Sequence, residues 1–172
     1  MKWIKQGAQL VVVLLAALWL GGWVRGMMMS PAHGSVPGAP LPVLTQVHSD
    51  WFLSGDFAPP VGAGNRLVYL FAPWCTICKL TFPHLEQWQQ QGRAVTPVAL
   101  SYQSTQEVTD FLESFSGTPE QVLMGNRALA QQLDVLAFPT YLIVDEQGQI
   151  LSSRVGYLPE WMLGLYLDYY GI

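Results

Sequence analysis

The sequence predicts an α/β protein, a central mixed β-sheet flanked by helices, carried behind an N-terminal transmembrane helix. Three observations predict it. Strand-like apolar runs alternate with helix-like segments from about residue 43 onward and finish in a hairpin plus a helix. Nineteen uncharged residues, Gln6 to Val24, lie between Lys5 and Arg25. Between these parts, residues 30–42 (SPAHGSVPGAPLP) are rich in proline and glycine and read as a tether. The domain limits are therefore 1–29 for a membrane anchor, 30–42 for the tether and 43–172 for the globular domain.

Taken in order, the apolar segment comes first. As a helix rising ~1.5 Å per residue it spans roughly 28 Å, about the hydrocarbon thickness of a bilayer. Trp3, Trp19 and Trp23 stand towards its ends, where amphipathic rings favour the interface. Lys2, Lys5 and the α-amino group outweigh Arg25, which keeps the N-terminus cytoplasmic and exports the rest. The expected location is the cell inner membrane, single-pass, with the C-terminal domain in the periplasm. A cleaved signal peptide is the alternative, with Ser30-Pro31-Ala32 or Ala32-His33-Gly34 as the site. Met27, Met28 and Met29 finish the helix at the interface; with His33 they lack the convergent scaffold that a soft-metal site needs.

The globular part reads as a strand around Val43 to Val47, a loop through Asp56 to Asn65 and a buried strand Arg66 to Phe71. A helix follows from about Thr76 to Gln91, then strand Val95 to Leu100 and helix Thr105 to Phe115. A short strand Gln121 to Met124 and a short helix Arg127 to Leu133 come next. Strands Thr140 to Val144 and Ile150 to Val155 are joined by Asp145-Glu146-Gln147-Gly148, a good hairpin turn. Helix Pro159 to Tyr170 closes the chain, with proline in the first turn.

Composition limits the function. Of 172 residues 51% are hydrophobic and 12% charged, about half the ~25% charge of an ordinary soluble domain. Residues 1–49 hold Lys2, Lys5 and Arg25 and no acid; residues 50–172 hold five Lys/Arg against twelve Asp/Glu, net −7. Such an acidic domain repels phosphate backbones, so no nucleic-acid partner is expected. Seven Trp, seven Tyr and seven Phe exclude intrinsic disorder, and two cysteines exclude a disulfide-stapled scaffold and a four-cysteine zinc site.

Both cysteines lie in Ala72-Pro73-Trp74-Cys75-Thr76-Ile77-Cys78-Lys79, where an apolar strand gives way to a helix. Unpaired N–H groups at a helix start stabilise a thiolate, the species that attacks disulfides. Cys75 at the start is the exposed attacking sulfur; Cys78, one turn in, is placed to resolve the mixed disulfide. Three other uses of the pair compete. Zinc would need two more ligands, and His33, His48 and His84 show no paired spacing. Haem attachment would need histidine where Lys79 stands. A structural disulfide this short constrains the unfolded chain little. No nucleotide, flavin or metal motif is seen, so the cofactor is the cysteine pair itself.

Trp-Cys-x-x-Cys-Lys after a strand, with Phe138-Pro139-Thr140 before a later one, resembles the thioredoxin fold. The 64 residues from Cys75 to Pro139 exceed a minimal thioredoxin. The extra length, around Ser104 to Met124, resembles the central insertion of the TlpA-like branch of membrane-anchored thiol-disulfide reductases, some serving cytochrome c maturation. The strings Asp134-Val135-Leu136-Ala137-Phe138-Pro139-Thr140 and Val144-Asp145-Glu146-Gln147-Gly148-Gln149-Ile150 are similar to that branch's pattern. The resemblance covers about residues 43–170. It implies catalysis by Cys75 and Cys78, a cis-proline at Pro139, and partner binding by Trp74, Phe138 and Pro139. It also implies protein thiol/disulfide clients and a membrane electron-donor protein.

Two positions depart from the family pattern. Tyr69 stands where thioredoxins carry a buried acid, and Thr81 where many TlpA-like reductases carry glutamate. Glu86 could approach Cys78 only if Pro83 bends the helix; otherwise it and His84 are solvated helix residues. Lys79, the only lysine after residue 5, favours a thiolate slightly. Thr76-Ile77 brings no positive charge, so the expected direction is reduction. The missing carboxylates at Tyr69 and Thr81 predict slow deprotonation of Cys78, and release of partners that is slow at neutral pH and quickens as pH rises. A disulfide-introducing oxidase and a non-catalytic binding or chaperone module are the alternatives.

Overall fold

A computed structural model of the chain describes residues 9, 11–17, 20–21, 36, 41–47, 50–57 and 64–172. Of the expected span Gln6 to Val24, the described residues are helical, and among described residues no helix is long and apolar enough to cross a membrane. The remainder of that span, the alternative cleavage sites, Met27 to Met29, His33 and His48 lie outside the described residues.

The elements are β1 (Leu41–Val47), β2 (Asp50–Phe57), β3 (Arg66–Phe71), α1 (Thr76–Thr81), α2 (Pro83–Gln90), β4 (Val95–Ala99), α3 (Thr105–Glu113), β5 (Gln121–Met124), α4 (Arg127–Gln132), β6 (Thr140–Val144), β7 (Ile150–Val155) and α5 (Glu160–Tyr169). The strands form a seven-stranded mixed sheet in the order β2-β1-β5-β4-β3-β6-β7. β3 pairs parallel with β4 and antiparallel with β6, and β4 pairs parallel with β5. The expected strands Gln121–Met124, Thr140–Val144 and Ile150–Val155 are observed with those bounds.

Side chains two residues apart on a strand share a face, and the core is built on that rule. Leu67, Tyr69 and Phe71 of β3 join Val122, Met124, Tyr141 and Ile143 on one face, where Cys78, Phe82, Leu85, Phe111, Leu112, Leu163 and Leu167 cover them. Val68 and Leu70 join Val98, Leu123, Leu142 and Val144 on the other, under Leu129 and Leu133. The hairpin turn after β6 closes through the N–H of Gly148 on the carbonyl of Asp145 (3.0 Å), and the Asp145 carboxylate accepts from the N–H groups of Gln147 and Gln149. From the tether, Val36 donates its N–H to the carbonyl of Gly148 at 2.8 Å and packs on the second face.

Two expectations need correction. Asp50–Phe57, given no element at its start and assigned to a loop at its end, is a strand paired antiparallel with β1, and β1 begins at Leu41, inside the segment assigned to the tether. The helix expected from Thr76 to Gln91 is two helices meeting at Phe82, because Pro83 has no N–H to continue the ladder and its ring crowds the preceding turn. The kink drives Phe82 into the core, where its ring meets Phe71 at 4.9 Å, Phe111 at 5.0 Å and Phe115 at 5.4 Å. Phe82→Ala is expected to cost about 3–5 kcal/mol, read from urea unfolding midpoints; a loss below about 1 kcal/mol would contradict the packing account.

Candidate active site

The site forms where β3 ends. The chain turns through Ala72 to Cys75, with the Cys75 N–H donating to the Ala72 carbonyl at 3.0 Å, and Cys75 becomes the N-cap of α1 in extended conformation. Its Sγ accepts the backbone N–H of Cys78 at 3.1 Å, the bond that a capping side chain makes to an otherwise unpaired donor. Such a donor strengthens when the acceptor carries charge, so this geometry favours a thiolate on Cys75. The two cysteines are joined as a disulfide, their Cα atoms 5.2 Å apart. Cys75 keeps 6% of its surface exposed and Cys78 none, so the expected asymmetry holds with Cys75 less open than the sequence suggested.

Trp74 is 60% exposed yet fixed. Its indole N–H donates to the carbonyl of Ser101 at 2.8 Å, and Ser101 presents that carbonyl from a left-handed backbone (φ 54°) that non-glycine residues seldom adopt. The Trp74 ring meets Phe138 edge-to-face at 5.8 Å, and Phe138 packs against the core cluster that holds both cysteines. The Phe138–Pro139 peptide is cis, as the resemblance implied. Pro139 is buried; its carbonyl accepts the N–H of Gly156 at 2.8 Å, and Thr140 donates to the Ala137 carbonyl at 2.7 Å, pinning the segment on both sides. Ile77 and Leu136 are exposed apolar neighbours in sequence to these groups. The anchoring carbonyl of Ser101 was missed from sequence, because a backbone acceptor leaves no mark on residue type.

Below the cysteines lie the two departures from the family pattern. The hydroxyls of Tyr69 and Thr81 are hydrogen-bonded to each other at 2.7 Å in the buried core. Burial pushes the Tyr69 phenol far above its ordinary range, with Tyr141 adding to the shift, and the Thr81 bond only partly offsets this. Tyr141 is pushed up to about 12, chiefly by burial. Its hydroxyl lies beside Thr81 and the Leu158 backbone without a well-formed hydrogen bond.

The remaining candidates lie elsewhere. Despite the kink at Pro83, Glu86 accepts from Gln90 at 3.0 Å, abuts Gly117 and lines a groove with Arg66 and Arg93. Arg66 opens β3 whereas the cysteines follow its end, so Glu86 serves the opposite end of the sheet. His84 Nδ1 stands 3.6 Å from the Glu160 carboxylate. Lys79 is exposed while Cys78 is buried, on another face of α1. Among the described residues no group of His, Cys, Asp and Glu could hold a metal ion.

The fold and the helix-capping cysteine pair define a thioredoxin-like domain. Residues 61–171 match the family model of that name, the thioredoxin-like domain, over well more than half of the sequence, and the chain belongs to this family. Its curated relatives include sporulation thiol-disulfide oxidoreductase A of Bacillus subtilis, 23% identical over 165 residues that cover 89% of this chain and 96% of that protein. Thioredoxin-like protein YneN of the same organism is 26% identical over 110 residues, 60% of this chain; the match spans 65% of YneN, just under two thirds. Among solved structures, the exposed lipoprotein thioredoxin Etrx1 of Streptococcus pneumoniae superposes with a TM-score of 0.62 at 16% identity, covering 76% of this chain and 99% of that one. StoA of Bacillus subtilis does so at 0.53 and 19% identity, covering 77% and 98%. At these identities the structural likeness establishes the fold.

The raised tyrosines set an alkaline limit on stability. Up to pH 10 the folded and unfolded chains both keep the Tyr141 proton and its contribution is fully present; as pH rises from 10 towards about 12 the unfolded chain ionises first and stability falls. Tyr141→Phe removes both that slope and a poorly paired buried hydroxyl. Urea midpoints for the variant are expected to be equal or higher at pH 7 and to fall less above pH 10. A marked loss at pH 7 would contradict the hydroxyl's lack of a good partner.

Proposed function

We propose that this protein is a membrane-tethered thiol-disulfide oxidoreductase that reduces protein disulfides outside the cytoplasm. The observation that carries the reading is the Cys75–Cys78 disulfide at the start of α1, with Cys75 the less buried of the two, beside the exposed Trp74. In the reduced pair, the Cys75 thiolate attacks a client disulfide; one client sulfur joins Cys75 and the other leaves as a thiol after protonation. Cys78 then attacks Cys75, the Cys75–Cys78 bond forms and the client is released with both sulfurs reduced. Two electrons have passed from the pair to the client. Trp74 and Phe138 form the apolar ledge against which an extended client segment lies, with the buried cis-proline Pro139 setting the backbone beside it.

An exported reductase works against an oxidising surrounding, so a membrane electron-donor protein recharges it. Helix capping and Lys79 favour the thiolate of Cys75, while its near-complete burial opposes it, which sets the couple on the reducing side. The anchor reading rests on Gln6 to Val24, uncharged and flanked by Lys5 and Arg25. The names of relatives such as sporulation thiol-disulfide oxidoreductase A support the chemistry.

Cys75→Ser is expected to abolish disulfide exchange, and Cys78→Ser to accumulate mixed disulfides with clients in cells; exchange retained in Cys75→Ser would leave a binding module instead. Equilibration with glutathione tests direction: a potential near that of the strong periplasmic oxidases, with the pair oxidised at steady state, would overturn reduction in favour of oxidation. For topology, protease added to spheroplasts should digest the domain, and a protected domain would contradict the orientation.

A further inference from the structure

The helix that closes the domain is apolar on its outside as well as on its inside. Leu163 and Leu167 of α5 are buried against the sheet. Trp161, Leu165 and Tyr169, four residues apart and so on one side of the helix, are 65%, 62% and 82% exposed. A helix on the surface of a soluble domain ordinarily carries charge on its outer face. The charged residues of α5 are Glu160 and Asp168 alone, and both are engaged in ion pairs at its two ends. Glu160 stands 3.6 Å from His84 Nδ1, and Asp168 accepts from Arg93 at 2.7 Å. Tyr157, just before the helix, is exposed as well.

The point at which the N-terminal segment meets the domain bears on what covers this face. Val36 bonds to Gly148 in the turn between β6 and β7. β6 ends at Val144, opposite Arg66 at the start of β3, so that turn lies at the pole of the sheet away from the cysteines. α5 ends at the same pole, where the Asn65 side chain donates to the Tyr170 carbonyl at 2.7 Å and Arg93 holds Asp168. Residues 25–35, between the apolar run and Val36, reach roughly 40 Å even when fully extended. A domain so confined meets the bilayer at high effective concentration, and a face too small to bind from free solution is then sufficient. A second copy needs more, since a standard interface engages about 20–30 residues a side. Amphipathic Trp and Tyr rings are the side chains that favour the headgroup boundary.

We propose that the Trp161–Leu165–Tyr169 face of α5 docks on the headgroup region of the bilayer that carries the N-terminal anchor and lays the domain on its side. This rests on the membrane-tether reading above. α5 then lies in the plane of the interface, with the Trp161 and Tyr169 rings at headgroup level and Leu165 between them. Trp74 and Cys75 stand on another element and stay open to a client. The attraction is apolar: residues 50–172 carry a net charge of −7, so anionic headgroups weaken it.

Full-length oxidised protein in nanodiscs of phosphatidylcholine, a fraction of it nitroxide-labelled on the headgroup, tests this by nuclear magnetic resonance. Amide signals from Trp161 to Tyr169 are expected to broaden, while those of α4, on the opposite face of the sheet, are spared. Trp161→Ser combined with Tyr169→Ser is expected to abolish that difference, with the protein still in the disc and disulfide exchange with glutathione unchanged. If the double variant does not fold, Leu165→Gln decides alone and should weaken the broadening. Equal broadening of α4 and α5, or none, in protein that remains in the disc would overturn the docking and leave the domain hanging free. Signals of α5 that shift with the number of chains per disc would overturn it in favour of a second copy. Failure of the tether reading looks different: the protein would separate from the discs, and the docking falls with it.

Discussion

Burial of β3 on both faces constrains everything that follows it in the chain. Leu67, Tyr69 and Phe71 fill one side of the sheet and Val68 and Leu70 the other, so the strand can neither slip by one residue nor rotate without exposing a full set of apolar side chains. With β4 parallel on one side and β6 antiparallel on the other, its end is fixed in space. The turn through Ala72 to Cys75 starts from that fixed point, and the N–H of Cys78 in the first turn of α1 is delivered to the Cys75 sulfur. β6, which locks β3 from the other side, is also the strand that Pro139 leads into, so one strand pair sets both halves of the site.

The same constraint divides the chemistry of the two sulfurs. Cys75 sits where a backbone donor meets its sulfur and a small part of the residue stays exposed; Cys78 is fully buried in the cluster that holds Tyr69 and Tyr141. Thiolate formation is favoured at the first and opposed by desolvation at the second. A pair built this way attacks readily and releases slowly. Tyr69 and Thr81, bonded to each other in the buried core, stay uncharged there.

Much of this was legible in the sequence, for reasons that differ by element. Leu67 to Phe71 and Thr140 to Val144 are unbroken apolar runs of strand length, and central strands have that composition because both faces are covered. The cysteine motif names its own chemistry through placement. Asp50–Phe57 was unreadable as a strand: it carries Asp50, Gly55 and Asp56, lacks a sustained apolar run, and lies at the sheet edge, where burial leaves a weak imprint. Pro83 marks the helix kink, yet nothing local says that Phe82 turns into an aromatic cluster drawn from β3 and α3. Tyr69 and Thr81 were each visible as a missing carboxylate. That they bond to each other is a tertiary fact, since one is on a strand and the other on a helix packed over it.

The central claim is that the fold gives the two cysteines opposite environments. Titrating the isotope-labelled cysteine Cβ resonances of the reduced protein by nuclear magnetic resonance tests it most directly. The account predicts two separate ionisations, Cys75 first and Cys78 at clearly higher pH, with the first transition lost in Cys75→Ser. A single transition shared by both sulfurs, or ionisation of Cys78 before Cys75, would contradict it.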